Sequence, residues 1–387
     1  MNQRFHEHVR TVRVRAGAGG VTIAHRRSEG EATTVWADGH PVTSYRSLWT
    51  VPGAEDHLSP TVHQWLERLG RRYPRLTTRV LARSRTIAVH DLDPGEDCRS
   101  DTTSHISVMV DGRYRTGGPA VRGRAWFTRA VSDLDTAELE ALVERSVRDA
   151  ALATDPWPWS GTQVLLPVVF APGVGGTAFH EVVGHGLEAE PDRSTPAPGT
   201  RLGTGGVTVV DDPTLPRLWG SRCIDDEGVP GTPVTLVRGG VVRAALHARE
   251  TSPRSSSARR MDYRSRPLAR MSNTYLAPGD DDPAAMLTGA AVLRCVEGGS
   301  AEVRPGSQDV VMRIRRAELW RAGEPVGRHR HLALHFTAGR LLHGIDAVGA
   351  DLAFRPGRCV KESQSVPVSH GAPTFRLAPV GITGPGQ

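Results

Sequence analysis

Lysine is almost absent from this sequence: all but one of its 48 basic residues are arginines, and the exception is Lys361. Such a bias is typical of a GC-rich genome. A nucleic-acid-binding protein concentrates its basic residues on one face or one helix. Here the arginines are scattered, with local density only over residues 254–270. The formal net charge of +6 therefore does not indicate a nucleic-acid partner, and none is expected.

Long apolar runs are also missing. No stretch approaches the roughly 18 consecutive apolar residues that indicate a membrane span, so no membrane partner is expected. The first residues, MNQRFHEHVRTVRVR, are polar and basic without a following apolar segment, so they do not indicate a secretory leader. A content of 38% hydrophobic and 23% charged residues is typical of a globular protein.

Cysteines are few and widely spaced. The four are Cys98, Cys223, Cys295 and Cys359, and no two of them form a C-x-x-C pair. Without an indication of secretion, a disulfide framework is not expected. Each thiol is therefore expected to be buried and inert, unless another motif gives it a role.

The order of apolar patterns predicts an α+β fold. Residues 8–53 alternate apolar and polar positions, as strands do. A helix is predicted from Asp135, which would cap its start, with Glu138 completing a capping box. From residue 200 onward the pattern is strand, turn, strand, with no regular βαβ alternation.

The segment PWPWSG, residues 156–161, is rigid and suits a domain boundary. The sequence therefore predicts an N-terminal mixed strand and helix domain over residues 1–158. A larger strand-rich C-terminal domain, residues 159–387, would carry the helix described next.

The segment GGTAFHEVVGHGLEAE contains His180, Glu181 and His185. Zinc peptidases with H-E-x-x-H on a helix have histidines four residues apart, whereas these are five apart. Five residues turn a regular helix by about 500°, so the two rings would point about 140° apart. Binding one ion then requires a π-type turn or an unwound helix end. Gly184 and Gly186 would tolerate such a distortion.

If His180 and His185 bind zinc, Glu181 is placed to act as general base toward a zinc-bound water. A catalytic zinc also needs a third protein ligand. The candidates are Glu188, a distant cysteine or a distant histidine. The alternative is an ordinary helix with two hydrogen-bonded histidines.

Two further sequence patterns suggest other binding sites. Residues 173–178, GVGGTA, follow a buried-type strand and loosely match a dinucleotide-binding fingerprint. The segment RHRHLALH contains His329, His331 and His335, and an H-x-H pair on a strand directs both rings to one face. With arginines between the histidines, an exposed sheet face or strand end is the expected interpretation.

Several long motifs occur in order between residues 160 and 387: GGTAFHEVVGHGLEAE, TVVDDPTLP, IDDEGVPGTPVTLVRGGVV, YRSRPLARMSNTYLAPG and GRCVKESQSVPVSHGAPTF. Together they resemble the TldD/PmbA family, and more narrowly its TldD-type metalloprotease subunit. The resemblance implies that His180, His185 and Cys359 bind one Zn²⁺ per chain and that Glu181 is catalytic. Lys361 could hold the Cys359 thiolate or lie at the surface.

The resemblance also implies a cytoplasmic peptidase for small or unfolded peptides, or for a peptide-like biosynthetic intermediate. It implies a heterodimer with a TldE/PmbA-like subunit that lacks the metal motif. Tyr263, Arg270 and Asn273 are expected to line the substrate cleft or to be structural. A non-catalytic subunit is the alternative function, and a nucleotide-dependent oxidoreductase is a weaker one.

Overall fold

The structure is a computed structural model in which the chain forms two compact units. It describes residues 3–37, 40–51, 60–91, 98–113, 120–129, 131–152, 154–159, 163–192, 194–252, 256–304 and 307–385. The first unit comprises Met1–Leu152, Ile224–Gly228 and Arg260–Arg266. The second comprises Ala153–Cys223, Val229–Arg259 and Pro267–Gln387.

The first unit is built on a six-stranded antiparallel sheet with the strand order β3-β2-β1-β4-β5-β6. Its strands are β1 (Gln3–Gly17), β2 (Gly20–Ala37), β3 (His40–Val51), β4 (Leu76–Asp91), β5 (Cys98–Arg113) and β6 (Ala120–Phe127). Two helices, α1 (Pro60–Arg72) and α2 (Thr136–Ala151), share a core with this sheet. Of the alternation predicted for residues 8–53, the described residues 8–37 and 40–51 form strands apart from the turn between β1 and β2, and residues 38–39 and 52–53 lie outside the described residues. The buried positions of β1 contribute Val12 and Val14 to that core.

The helix predicted from Asp135 is α2, and Asp135 caps it by accepting a hydrogen bond from the Ala137 backbone N–H at 3.0 Å. The capping box is not formed, however. Glu138 forms an ion pair with Arg129 instead of reaching back to the cap. A nearby guanidinium attracts a carboxylate more strongly than a neutral backbone N–H does.

Two short segments from later in the chain complete the first unit. Ile224 and Tyr263 belong to a small buried cluster whose other members are Phe5, Ala32, Ile87 and Val89. Arg85 forms ion pairs with Glu7 at 2.6 Å and with Asp226 at 3.0 Å. These long-range partners have no signal in the local sequence pattern, and they were not predicted.

The second unit contains a small closed barrel and a separate sheet. The barrel strands are β7 (Val164–Phe170), β14 (Val292–Val303), β15 (Asp309–Arg321), β16 (Glu324–Thr337) and β20 (Phe375–Thr383), with β17 (Ile345–Val348) added to β20. The barrel closes because β16 pairs with both β15 and β20. Closure leaves the five barrel strands without open edges, whereas β17 pairs with β20 alone.

The separate sheet has the strand order β10-β9-β8-β13-β19-β18. Its strands are β8 (Val209–Asp211), β9 (Val234–Arg238), β10 (Val241–Val242), β13 (Asn273–Leu276), β18 (Ala353–Lys361) and β19 (Gln364–Ala372). The remaining elements are a two-stranded ladder of β11 (Ala258–Arg259) and β12 (Leu268–Ala269), and the helices α3 (Gly176–Phe179) and α4 (Ala338–Gly344). The α+β class, with a strand-rich second part, is confirmed.

The predicted boundary between residues 158 and 159 stays a prediction. The compact units divide after Leu152, and the first one also includes the two later segments. Within PWPWSG, Ser160 and Gly161 lie outside the described residues.

All four cysteines are free thiols. Cys98 and Cys223 are exposed, which corrects the expectation that every thiol is buried. Cys295 and Cys359 are buried. Cys295 lies in the apolar core of the second unit, where burial raises the pKa of its thiol and keeps it inert. Among the described residues, no helix combines the length and the apolar composition that crossing a membrane requires.

Candidate metal centre

The segment from His180 to Gly184 is a single π-helical turn between α3 and a short 3₁₀ turn at His185–Leu187. The His185 backbone N–H donates to the carbonyl of His180, five residues earlier. This wider turn is the distortion that the five-residue spacing predicts. It brings the two imidazole rings to a centroid separation of 5.1 Å.

The two glycines of this segment differ in their roles. Gly184 has ordinary right-handed helical dihedrals, with φ of −57°, so the turn does not depend on its conformational freedom. It is required for packing, because a Cβ there would overlap the sulfur of the buried Met271. A Cβ on Gly186 would meet nothing within 4 Å. Gly184 is therefore needed because Met271 packs directly against its Cα, and not for the backbone flexibility that the sequence suggested.

Cys359 reaches the same place from β18. Its Sγ lies 3.4 Å from Nε2 of His185. One donor atom each from His180, His185 and Cys359 lies within 4.8 Å of the others, and this is the group of potential metal ligands found in the described part of the chain. Three residues separated by up to 179 positions are thus brought together as the sequence motifs predict.

The donor set fits a zinc ion. Tetrahedral zinc with Zn–S of about 2.3 Å and Zn–N of about 2.0 Å places such atoms about 3.5 Å apart, close to the spacing between Cys359 and His185. Nδ1 of His180 is buried and has no hydrogen-bond partner among the described residues, although an unpartnered buried polar atom costs about 1–3 kcal/mol. Burial, followed by the nearby His370 and His185, lowers the pKa of His180 well below its ordinary value. The ring therefore stays neutral, as a metal ligand must be.

Glu188 orients His185 and is not one of the grouped ligands. Its Oε2 accepts a hydrogen bond from Nδ1 of His185 at 2.9 Å and from Nζ of Lys361 at 3.0 Å. Although burial alone would raise the pKa of Glu188, the hydrogen bonds to His185 and Lys361 lower it. A carboxylate bonded to the far nitrogen of a ligand histidine fixes the orientation of the ring. Of the open candidates for the third ligand, the geometry thus favours the distant cysteine.

Lys361 contacts carboxylates here. It pairs with Glu188 at 3.0 Å and with Glu190 at 2.5 Å. Within the described residues, no contact of Lys361 with the Cys359 thiolate supports the alternative of a direct role there. The chain's single lysine instead stabilises the carboxylate that holds His185.

His185 has a partner at each ring nitrogen, with Cys359 at Nε2 and Glu188 at Nδ1. Burial alone would lower the pKa of His185, but the hydrogen bonds to Cys359 and Glu188 raise it to about 10. Coordination requires a neutral imidazole, so a metal ion bound here would displace the proton that His185 otherwise retains.

Glu181 follows His180, one of the three potential metal ligands, on the π-helical turn. Its carboxylate forms no hydrogen bond or ion pair with the part of the chain that is described. Burial raises the pKa of Glu181, although the charge of His185 acts in the opposite direction. A carboxylate that is half-buried and uncommitted is available to exchange protons with a bound molecule.

The match to a family sequence model covers residues 162–384, and that model describes the "PmbA/TldA metallopeptidase C-terminal domain". The chain belongs to the TldD/PmbA family. The match includes the π-helical turn and the β18–β19 hairpin, so all three grouped donor residues lie inside it.

Curated members of the TldD/PmbA family are similar to this chain over part of their length. A metalloprotease TldD homolog of Buchnera aphidicola is 29% identical over 319 residues, which cover 77% of this chain and 65% of that protein. A metalloprotease of Methanothermobacter thermautotrophicus is 33% identical over 54% of this chain and 48% of its own length. A zinc metalloprotease TldD homolog of Saccharolobus solfataricus is 28% identical over 56% and 51%. The chain spans about half to two thirds of these relatives.

The fold is also similar to that of solved TldD/PmbA structures. TldE from Thermococcus kodakarensis superimposes with a TM-score of 0.70 at 13% identity, over 99% of this chain and 97% of that one. A protein from Thermotoga maritima described as a putative modulator of DNA gyrase gives 0.68 at 14% identity, over 99% and 96%. At these identities the likeness shows the fold alone.

The three predicted substrate-contacting residues are placed differently. Arg270 is fully buried and donates to the backbone carbonyl of Cys359 at 2.8 Å, so it supports the β18–β19 hairpin. Asn273 is fully buried, and its amide bonds the backbone of Asp212 and Gly220. Tyr263 belongs to the first unit and is 6% exposed. Contact of these residues with substrate stays a prediction.

The histidines of RHRHLALH do not join the metal-ligand group. His331 is exposed, as expected, and has a positive φ of 57° that interrupts the strand alternation. His329 is buried instead of exposed. Its ring lies against Trp157, and its Nδ1 is 3.2 Å from the backbone carbonyl of Asp155. The apolar tryptophan surface explains why this end of the strand is covered.

One residue of the site was missed from the sequence. His370 stands on β19 with its ring centroid 5.3 Å from that of His180. It lies within the segment SVPVSHGAPTF, where nothing in the local pattern distinguishes it from any other strand histidine. Only the tertiary packing of β19 against the π-helical turn reveals it.

Proposed function

We propose that the chain is a zinc-dependent metallopeptidase that hydrolyses small or unfolded peptides, or a peptide-like biosynthetic intermediate. The observation that carries this proposal is the grouping of His180, His185 and Cys359 next to the uncommitted carboxylate of Glu181. Membership of the TldD/PmbA family supports peptide hydrolysis, and the name of the Saccharolobus relative supports zinc.

His180, His185 and Cys359 would hold the metal. Zinc supplies Lewis acidity, which lowers the pKa of water and polarises a carbonyl group. Glu181 accepts a proton from the attacking water and returns it to the nitrogen of the leaving amine. The new C–O bond forms as the carbonyl π electrons move onto oxygen, and the C–N bond breaks when these electrons return and the amine nitrogen takes the proton from Glu181. Glu188 keeps His185 oriented throughout.

The working protein would be a cytoplasmic heterodimer with a TldE/PmbA-like subunit. Two properties support this assignment: membership of a family that includes such subunits, and a fold shared with TldE. A non-catalytic role for the present chain is the alternative. The presence of a complete donor set with Glu181 beside it argues for the catalytic role.

The test is co-purification of the chain with its partner, followed by measurement of zinc content and of peptide cleavage. A mixture of unfolded-protein fragments serves as substrate, and mass spectrometry identifies the new termini. We expect about one zinc per chain. Glu181→Ala should retain the zinc while hydrolysis falls by about 10²–10⁴-fold, the usual contribution of a general base. Glu324→Ala, at an exposed position of β16, is the matched control.

Two outcomes would contradict the proposal. Undiminished turnover by the Glu181→Ala complex would remove the assigned mechanism. A wild-type complex that stays zinc-free after zinc supplementation would favour the non-catalytic role.

A further inference from the structure

The β18–β19 hairpin carries a third histidine to the metal centre. Cys359 pairs with Val366, and Arg355 pairs with His370. Because directly paired residues and every second residue share one face of a sheet, the side chain of His370 lies on the same face as that of Cys359. The hairpin therefore presents both a thiol and an imidazole toward the π-helical turn.

The imidazole of His370 extends over the neighbouring strand. A Cβ added to Gly357, which lies between Arg355 and Cys359 on that face, would overlap Nε2 of His370. The strand that carries Gly357 is β18, the last strand of its sheet. The Nε2 end of the ring therefore lies over Gly357, two residues from Cys359 along the same face of β18.

His370 is next to the proposed zinc ligands without being one of them. Its ring meets the ring of His180 edge to face, with a centroid separation of 5.3 Å and an interplanar angle of 69°. The group of donor atoms that can share one ion comprises His180, His185 and Cys359 only, among the residues that the structure describes. We therefore considered roles for His370 other than metal binding.

The far side of the ring is held in place. Nδ1 of His370 lies 3.3 Å from the hydroxyl oxygen of Thr177, which precedes His180 by one helical turn. The backbones of the two elements also pack closely, because a Cβ on Gly176 would lie 2.7 Å from the backbone nitrogen of Gly371. The spacing between the ring and the π-helical turn is consequently fixed.

The two nitrogens of the His370 ring have different surroundings. When the Thr177 hydroxyl donates to Nδ1, the ring proton is on Nε2. Within the described chain, Nε2 of His370 has no hydrogen-bond partner, and the residue is only partly buried.

We propose that His370 is a catalytic residue whose Nε2–H donates a hydrogen bond to the carbonyl oxygen of the scissile peptide bond. This inference rests on the proposed function. Attack by water moves the carbonyl π electrons onto that oxygen, and a fixed donor stabilises the negative charge that develops there. His370 keeps its proton, while Glu181 carries the proton from the water to the leaving amine.

The variants that test this inference are His370→Val, which removes the donor, and His370→Gln, which keeps an N–H at similar reach. The substrate is the peptide that the wild-type complex cleaves fastest from the fragment mixture. We expect kcat of His370→Val to fall by about 10²–10³-fold, the usual effect of losing one oxyanion donor. KM and zinc content should stay unchanged, and His370→Gln should recover at least about tenfold of the loss.

A binding measurement separates this role from a structural one. A phosphinate analogue of the same peptide has a tetrahedral oxyanion in place of the scissile bond, so its affinity reports transition-state stabilisation. In calorimetry, His370→Val should weaken the analogue by the same factor as kcat/KM. Affinity for the intact peptide, measured in a Glu181→Gln background, should not change. Thr177→Val, which frees the ring to turn, should give a smaller loss in the same direction.

The other outcomes overturn the inference. Unchanged kcat in His370→Val removes it while the proposed function stands. Loss of zinc in that variant assigns His370 to metal binding, and an increase in KM alone assigns it to substrate binding. A wild-type complex that is loaded with zinc and cleaves no peptide removes the proposed function, and this inference with it.

Discussion

The second unit has two segments with closely spaced histidines, residues 180–185 and residues 329–335. Only the first contributes to the group of potential metal ligands in the described part of the chain. On regular secondary structure the second segment is the better chelator, since an H-x-H pair on a strand directs both rings to one face. The structure reverses this order. A π-helical turn brings His180 and His185 together, whereas the positive φ of His331 interrupts the alternation of β16.

The side chains that surround each histidine explain the difference better than the spacing of the histidines along the chain. His185 has a thiol at 3.4 Å from one ring nitrogen and a carboxylate at 2.9 Å from the other. His329 has the ring of Trp157 and a backbone carbonyl instead. Metal-ligating histidines almost always have a second partner that fixes the ring, and only the first segment provides both kinds of neighbour.

The largest expected effect is that of Cys359→Ser. Removing the thiolate deprives zinc of its softest ligand, so zinc content after dialysis should fall from about one per chain to near zero, and hydrolysis should be lost with it. Atomic emission spectrometry measures the metal. Full zinc occupancy in the variant would break the comparison, because the first segment would then bind metal without its thiol neighbour.

A smaller effect is expected at the carboxylate behind His185. Glu188→Gln weakens the hold on the ring, and zinc affinity should fall by about 10–100-fold, as for other residues that orient ligands. Competition with a chelator measures it. Glu190→Gln, which removes the second carboxylate partner of Lys361, should have a clearly smaller effect. Equal losses in both variants would point to general disruption instead of orientation of His185.

The two glycines of the first segment give a matched pair. Gly184→Ala forces a methyl group against Met271 and should lower the free energy of unfolding by about 1–3 kcal/mol, the usual cost of overpacking. Gly186→Ala has open space and should be neutral or slightly stabilising. Denaturant unfolding of the zinc-loaded protein compares them. The comparison between these positions fails if Gly186→Ala is the more damaging change.

The smallest effect belongs to the second segment. His331→Ala changes an exposed residue that is absent from the metal-ligand group. Zinc content, kcat and thermal stability should match the wild type. A loss of zinc here would show that the second segment binds metal after all.

The sequence predicted the α+β class, strands within residues 8–53 and the helix beginning after Asp135, because these depend on local periodicity and capping. It also predicted that the five-residue spacing needs a wider turn, because helix geometry alone decides that point. It could not predict that Gly184 accommodates Met271, that Glu138 pairs with Arg129, or that His370 approaches His180. Each of these depends on which distant residue packs against a given side chain, and no local pattern records such a neighbour.

The first unit takes Ile224 and Tyr263 into its small second core, although both follow its sheet by many residues in the chain. The order of synthesis therefore affects when this cluster can form. When the first 152 residues have left the ribosome, the cluster around Phe5 and Val89 still lacks two of its members, and Arg85 still lacks Asp226. Domains generally fold as units during synthesis, and the core of the sheet with α1 and α2 is complete by then, but the small cluster is complete only after Tyr263 has emerged. Until then the apolar side chains of this cluster are incompletely covered. This is the stage of synthesis at which a chaperone would have the most apolar surface to bind.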